Sequence, residues 1–176
     1  DRERMETLKE WKVSKNRKPL IIRGARRVGK TWHMKEFGKL YYEKFAYINF
    51  DNNARMDILF NEEFDLDRII QGLKIESGIN IEPENTLIIF DEIQETPKAL
   101  KTLKYFYENA NEYHIVAAGS LLGVAMHQGT SFPVGKVNFM DLMPLSFFEF
   151  LDALGQEHLL NLLKNNEFDM ISVFNN

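Results

Sequence analysis

One run of eight residues constrains the fold of this chain more than any other. Its letters are G-A-R-R-V-G-K-T, and its members are Gly24, Ala25, Arg26, Arg27, Val28, Gly29, Lys30 and Thr31. The two glycines allow a tight turn with no Cβ in the way of a polyphosphate, and the loop amides and the start of a following helix supply donors to it. Lys30 adds a positive charge for the β- and γ-phosphates, and the Thr31 hydroxyl is a hard oxygen ligand for Mg²⁺. The pattern therefore predicts a loop that binds a nucleoside triphosphate.

The segments on both sides of this loop test the interpretation, because a phosphate loop joins a strand to a helix. Residues 19–23 are a short apolar run with branched side chains, which predicts a buried strand. Residues 30–43 are predicted to form a helix, because apolar side chains recur there at helical spacing. They are Trp32, Met34, Phe37, Leu40 and Tyr41. The alternative is a chance glycine-rich turn before an ordinary helix.

A second apolar run, residues 86–92, ends in two adjacent carboxylates, Asp91 and Glu92. Its continuous hydrophobicity predicts a central parallel strand buried on both faces. Ligands of such sheets sit at the carboxyl ends of the strands, so both acids should lie at the same edge as the phosphate loop. We expect Asp91 to hold Mg²⁺ through water, together with Thr31, and Glu92 to polarise the water that attacks the γ-phosphate. The alternative is that both acids only cap the next helix.

A third apolar run, residues 113–118, should bring Ser120 to the same edge. A small hydroxyl there could touch the γ-phosphate or the attacking water. An equally weighted alternative is that Ser120 caps a short helix over residues 121–126.

The rest of the chain fits a single α/β domain. Helices are predicted over residues 3–15, twice within 55–80 (the second capped by Asp65), and over 97–109, 147–154 and 156–164; strands are predicted over 45–51 and 134–141. The helix over 97–109 should bury Leu100, Leu103 and Tyr107.

Trp11 would either pack beside an adenine ring or belong to the core. The histidines show no metal-ligand spacing, so packing or surface roles are expected for them.

The composition excludes several classes of protein. The 176 residues include no cysteine, which excludes disulfides and thiolate metal sites and favours a reducing compartment such as the cytoplasm. No apolar run approaches the ~20 residues of a membrane span.

The charges are unevenly distributed along the chain. Residues 1–35 hold twelve Lys and Arg against four Asp and Glu, whereas residues 51–95 hold three Lys and Arg against twelve Asp and Glu. The positive part suits an anionic nucleotide. A basic footprint for nucleic acid over the whole domain is absent, which leaves a small local DNA contact open.

Taken together, four motifs resemble a prokaryotic branch of the AAA-type ATPases. They are G-A-R-R-V-G-K-T at 24–31, L-I-I-F-D-E-I-Q at 87–94, A-A-G-S-L-L-G at 117–123 and S-F-P-V-G-K-V-N-F-M-D-L-M-P-L-S-F-F-E-F-L at 131–151. The last two are the more specific, since phosphate loops are widespread. The resemblance spans about residues 17–151.

The resemblance implies a three-layer P-loop NTPase fold whose mostly parallel sheet has the strand order 5-1-4-3-2. It implies ATP and Mg²⁺ as ligands and hydrolysis as the activity. By the family pattern, Lys30 and Thr31 belong to the phosphate loop, Asp91 to the metal site, Glu92 to water activation and Ser120 to a sensor of the γ-phosphate.

The resemblance also suggests how the chain is divided. Residues 1–155 would be the ATPase core, with 1–18 as a helical lead-in, and residues 156–176 would begin a C-terminal region. Relatives often carry Arg where this chain has Lys136, which is the candidate for a basic residue that acts on a neighbouring subunit's nucleotide in a homo-oligomer. Lysine lacks the forked donor geometry of arginine.

Two functions remain in competition at this point. The first is an ATP-hydrolysing motor or switch domain, which Glu92 favours. The second is a nucleotide-binding module that signals by occupancy and hardly turns over. A GTPase is disfavoured because no N-K-x-D motif occurs, and a small-molecule kinase because no Arg-rich lid follows the core. The sequence leaves open whether the client is a protein or DNA.

Overall fold

Parallel strands form one sheet at the centre of the molecule. The computed structural model describes residues 2–24, 29–119 and 135–142. The strands are β1 Leu20–Arg23, β2 Lys44–Asn49, β3 Thr86–Asp91, β4 His114–Ala118 and β5 Asn138–Asp141. The helices of the same ranges are α1 Arg2–Val13, α2 Lys30–Tyr41, α3 Ala54–Asn61, α4 Leu66–Ser77 and α5 Pro97–Asn109, with a 3-10 turn at Ile93–Glu95.

The order of the strands is β2-β3-β4-β1-β5, and every pairing is parallel. Read from the other end, this is 5-1-4-3-2, so the predicted fold class is confirmed. The helices predicted over 121–126, 147–154 and 156–164 lie outside the described residues.

The helices pack in two layers because alternate strand residues face opposite sides of the sheet. Ile88 and Phe90 of β3 face α3, α4 and α5. Leu87 and Ile89 face α1 and α2. Strand β3 is buried along its whole length, as its continuous apolar sequence predicted.

Helix α2 buries a different stripe from the one predicted. Met34 and Phe37 are buried as expected, but Trp32 and Leu40 are 55% and 58% exposed. Gly38 takes an inner position, where a Cβ would lie 2.7 Å from the Cβ of a β2 side chain. The prediction treated every apolar residue as part of the buried face, whereas a helix with 3.6 residues per turn buries only one stripe.

Two local predictions have different outcomes. Asp65 caps α4 as expected, since its side chain accepts a hydrogen bond from the Arg68 backbone N–H at 3.1 Å. On α5, Leu100 and Leu103 are buried as expected, but Phe106 rather than Tyr107 completes the buried face. Positions three and four residues after Leu103 both point near the core, and the fully apolar ring occupies the inner one.

Trp11 belongs to the core. Its indole Nε1 donates to the Lys18 carbonyl at 2.7 Å, and its ring makes edge contacts with Phe37 and His114. Lys18 precedes β1 and His114 opens β4, so the ring lies near the amino ends of the strands. The phosphate loop follows the carboxyl end of β1. Trp11 is therefore at the wrong edge of the sheet to stack on an adenine ring.

His114 makes the fold sensitive to mild acid. Its Nδ1 is 2.6 Å from the Tyr42 hydroxyl, and burial, followed by the charges of Arg17 and Lys12, lowers its pKa to about 4. The unfolded chain takes up this proton near pH 6.5, whereas the native protein resists it down to about pH 4. The stabilising contribution is thus complete above pH 6.5 and is lost as the pH falls from there towards 4.

We expect the free energy of unfolding to drop by up to about 2 kcal/mol between pH 7.5 and pH 5 on account of this one group. The measurement is urea unfolding at both pH values for the wild type and for His114→Gln. The variant should show a smaller drop, because glutamine does not titrate. Equal pH dependence in the two proteins would contradict the prediction.

Candidate functional site

Three strands end at one edge of the sheet and bring the candidate residues together there. Strand β1 leads into Gly24, β3 ends at Asp91 and is followed by Glu92, and β4 leads into Gly119. Helix α2 begins at the same edge with Lys30. Of the predicted site residues, Ala25, Arg26, Arg27, Val28 and Ser120 lie outside the described residues.

Lys30 is buried and bonded to the first glycine of the motif. The residue is only 7% exposed, and its Nζ donates to the Gly24 carbonyl at 2.7 Å. Gly29 has a φ of +88°, in the left-handed region where a side chain would be strained. The buried ammonium therefore lies at the start of α2 beside both glycines of the motif.

Thr31 and Asp91 meet although they come from different elements. The Thr31 hydroxyl donates to Asp91 Oδ2 at 2.6 Å, and Asp91 is 4% exposed. Among the described residues, no three His, Asp or Glu side chains gather as a metal site. A hydroxyl and a carboxylate in contact fit Mg²⁺, which takes few protein ligands and completes its shell with phosphate oxygens and water.

Tyr47 is a site residue that the sequence reasoning missed. Its hydroxyl donates to Asp91 Oδ2 at 2.6 Å, and the Lys35 Nζ lies 4.0 Å from the centre of its ring. Burial, followed by the hydrogen bond to Asp91, raises the pKa of Tyr47, so the hydroxyl keeps its proton. The available signal was the pairing of β2 with β3, which places alternate β2 residues on the same face as Asp91.

Glu92 follows the strand in an unusual backbone conformation. Its φ and ψ are 54° and 41°, in the left-handed region, and its backbone N–H donates to Asp91 Oδ1 at 3.0 Å. Its Oε2 accepts a hydrogen bond from the Gln94 side-chain amide at 2.6 Å. Helix α5 starts only at Pro97, with Thr96 at its cap position. Glu92 occupies the cap position of the 3-10 turn Ile93–Glu95 but makes no side-chain cap hydrogen bond there, and neither acid caps α5.

His33 is buried at the same end of α2. Its Nδ1 lies 2.7 Å from the Gly29 carbonyl, so Nδ1 carries the hydrogen. Burial lowers the pKa of the imidazole, which favours the neutral ring. Its Nε2 is buried and has no hydrogen-bond partner within the described part of the chain. The expectation of an ordinary packing or surface role did not anticipate this position beside the loop.

Lys136 lies at the other edge of the sheet. It comes just before β5, and its Nζ is 3.5 Å from Glu108 Oε1. It is therefore far from the candidate site of its own chain, and any role on a nucleotide would have to be on that of a neighbour.

Comparison with known families identifies the domain. A family model described as an AAA domain matches residues 16–151. The chain belongs to this AAA domain family. Among curated proteins, no sequence matches this AAA domain significantly. In the part of the chain that the structure describes, no helix is both long and apolar enough to cross a membrane.

Three solved structures are similar to this AAA domain to the following extent. A Walker-type ATPase of Pyrococcus abyssi is 16% identical, with a TM-score of 0.52 over 97% of this chain and 59% of that one. Cdc6p of Pyrobaculum aerophilum is 14% identical, with a TM-score of 0.49 over 87% and 48% of the two chains. The Orc1 protein of Aeropyrum pernix, solved in complex with DNA, is 14% identical, with a TM-score of 0.45 over 89% and 48%. The chain thus spans about half to three fifths of the length of these proteins.

Proposed function

We propose that this AAA domain binds ATP with Mg²⁺ and hydrolyses the bond to the γ-phosphate, coupling its nucleotide state to a conformational change. The observation that carries the proposal is the 2.6 Å contact between the Thr31 hydroxyl and Asp91, directly after the buried Lys30. A phosphate-binding lysine and a pair of hard oxygen ligands are the parts that phosphoryl-transfer sites of this kind share.

Each residue has a distinct task in this proposal. The backbone of residues 24–31 and the Lys30 ammonium bind the phosphates, while Thr31 and Asp91 hold the cation. Mg²⁺, when bound, neutralises charge on the phosphate oxygens. Glu92 accepts the proton of the attacking water, and Ser120 contacts the γ-phosphate or that water.

A hydrogen bond to the Glu92 side chain favours a second candidate function, a nucleotide-binding switch. Its Oε2 accepts a hydrogen bond from the Gln94 amide at 2.6 Å, and in this second candidate the carboxylate acts as a base only after it exchanges this partner for water. A domain in which this exchange is rare would bind nucleotide and signal by occupancy, with little turnover of its own. The contact between Glu92 and Gln94 is the specific observation that favours this alternative.

The assembly is part of the proposal as well. We take residues 1–155 as the ATPase core and residues 156–176 as the start of a C-terminal region. In this proposal Lys136, which lies away from the site of its own chain, acts on a neighbour's nucleotide in a homo-oligomer. Its pairing with Glu108 would then have to open at the interface.

The test measures ATP and GTP affinity and turnover for the wild type, with and without Mg²⁺, across protein concentration. We expect ATP to bind more tightly than GTP, and the rate per subunit to rise with concentration if a neighbour completes the site. Binding without turnover at any concentration would favour the occupancy switch. Absence of nucleotide binding would overturn both candidate functions.

A further inference from the structure

The Asp91 carboxylate is fixed by three hydrogen bonds, two from other elements and one from the backbone of the next residue. Its Oδ2 accepts from the Thr31 hydroxyl of α2 and from the Tyr47 hydroxyl of β2, each at 2.6 Å. Its Oδ1 accepts from the Glu92 backbone N–H at 3.0 Å. Hydrogen bonds to a charged acceptor are strong and directional, so this arrangement permits little rotation of the carboxylate.

Tyr47 reaches Asp91 from the neighbouring strand. Tyr47 pairs with Ile89 and Asn49 pairs with Asp91 in the parallel register of β2 and β3. Tyr47 and Asp91 therefore lie on the same face of the sheet, the one covered by α2. Tyr47 pairs with a residue two positions before Asp91, and its side chain is long enough for the hydroxyl to reach the Asp91 carboxylate.

Packing alone does not account for a tyrosine at this position. Phe45, two residues earlier on the same face of β2, packs against the same cluster of buried side chains as Tyr47 without a hydroxyl. At Tyr47 the added hydroxyl makes a 2.6 Å bond to a carboxylate that is otherwise nearly closed to solvent. The Lys35 ammonium of α2 lies 4.0 Å from the centre of the Tyr47 ring and stabilises the ring there by a cation–π contact.

We propose that Tyr47 is a positioning residue for Asp91 and thereby sets the affinity of the site for a divalent cation. The inference rests on the proposed function, because it takes Thr31 and Asp91 as the cation ligands. Tyr47 acts only through Asp91: its hydroxyl keeps Oδ2 directed at Thr31, so the two oxygens that hold the cation stay together. Partners that orient a metal ligand in this way commonly change metal affinity by about 10–100-fold when they are removed.

The experiment titrates Mg²⁺ against the binding of a fluorescent ATP analogue to the Tyr47→Phe variant. We expect the Mg²⁺ midpoint to rise by about tenfold, while affinity for the analogue without Mg²⁺ stays within about twofold of the wild type. Asp91→Asn is the positive control for a damaged cation site. Tyr41→Phe is the matched control, since Tyr41 is a partly buried tyrosine that packs against the same buried cluster.

Each outcome decides the matter. A Tyr47→Phe variant with the wild-type Mg²⁺ midpoint would overturn the assignment. Equal losses of affinity with and without Mg²⁺, or the same change in Tyr41→Phe, would show a structural role only and would also overturn it. Circular dichroism and thermal unfolding of each variant identify any general loss of fold. If wild-type binding itself shows no dependence on Mg²⁺, the proposed function fails first, and the Tyr47 assignment fails with it.

Discussion

A Glu92→Gln variant will bind ATP like the wild type and lose turnover by roughly 10²- to 10⁴-fold, the usual contribution of a positioned general base. Glutamine has nearly the shape of glutamate but cannot take a proton from water. The side chain can still contact the Gln94 amide through its carbonyl oxygen, so the left-handed backbone at this position has no reason to change. The expected loss is therefore confined to chemistry.

The measurement pairs equilibrium binding of ATP with the steady-state rate of phosphate release. Glu112→Gln is the matched control, because Glu112 is exposed and follows α5, where it precedes the amino end of β4. Its removal should change neither quantity. Full turnover in Glu92→Gln would exclude this residue as the base, and weakened binding would show that it serves the nucleotide complex instead.

A Lys30→Ala variant will lose most of its affinity for ATP. A hydrogen bond to a charged group contributes about 1.5–3 kcal/mol, which corresponds to a loss of roughly 10- to 150-fold in affinity. The lysine is buried, and its Nζ donates to the Gly24 carbonyl, so the substitution removes a positive charge directly beside the first glycine of the motif. Most of the loss should appear in binding, and turnover should fall with it.

The control for this variant is Lys39→Ala. Lys39 lies on the same helix as Lys30 but near its other end, where it is exposed. Both substitutions remove one positive charge from α2, so only a specific phosphate contact separates them. Isothermal titration with ATP checks the prediction. Unchanged affinity in Lys30→Ala, or the same loss in Lys39→Ala, would disprove the phosphate-loop assignment.

The sheet and its edge could be anticipated because they depend on strong local patterns. The apolar run over residues 86–90 is typical of a strand covered on both faces. Parallel strands place their carboxyl ends together, so the meeting of Thr31 and Asp91 was expected from their positions after β1 and β3. Strand order came from the family resemblance, since nothing in a single apolar run specifies its neighbours. The roles of these residues stay predictions until they are measured.

The rest of the site depends on contacts that the sequence does not encode locally. Tyr47 had the pattern of an ordinary strand residue, and only the pairing of β2 with β3 brings its hydroxyl to Asp91. Gln94 engages Glu92 because the backbone turns into the left-handed region after the strand. Trp32 was misplaced for a related reason: periodicity gives the spacing of a helix but not which stripe faces the sheet.

The order of the strands also determines when β1 can enter the sheet as the chain is made. Strand β1 pairs with no strand that is close to it in sequence: Leu20 lies beside Val116 of β4 and Asn138 of β5. A nascent chain emerges from its amino end and must close these long separations before β1 has any neighbour. β2 and β3 can pair much earlier. Strand β1 is therefore synthesised before both of its partners, and it can take its place in the sheet only after β4 or β5 has been made.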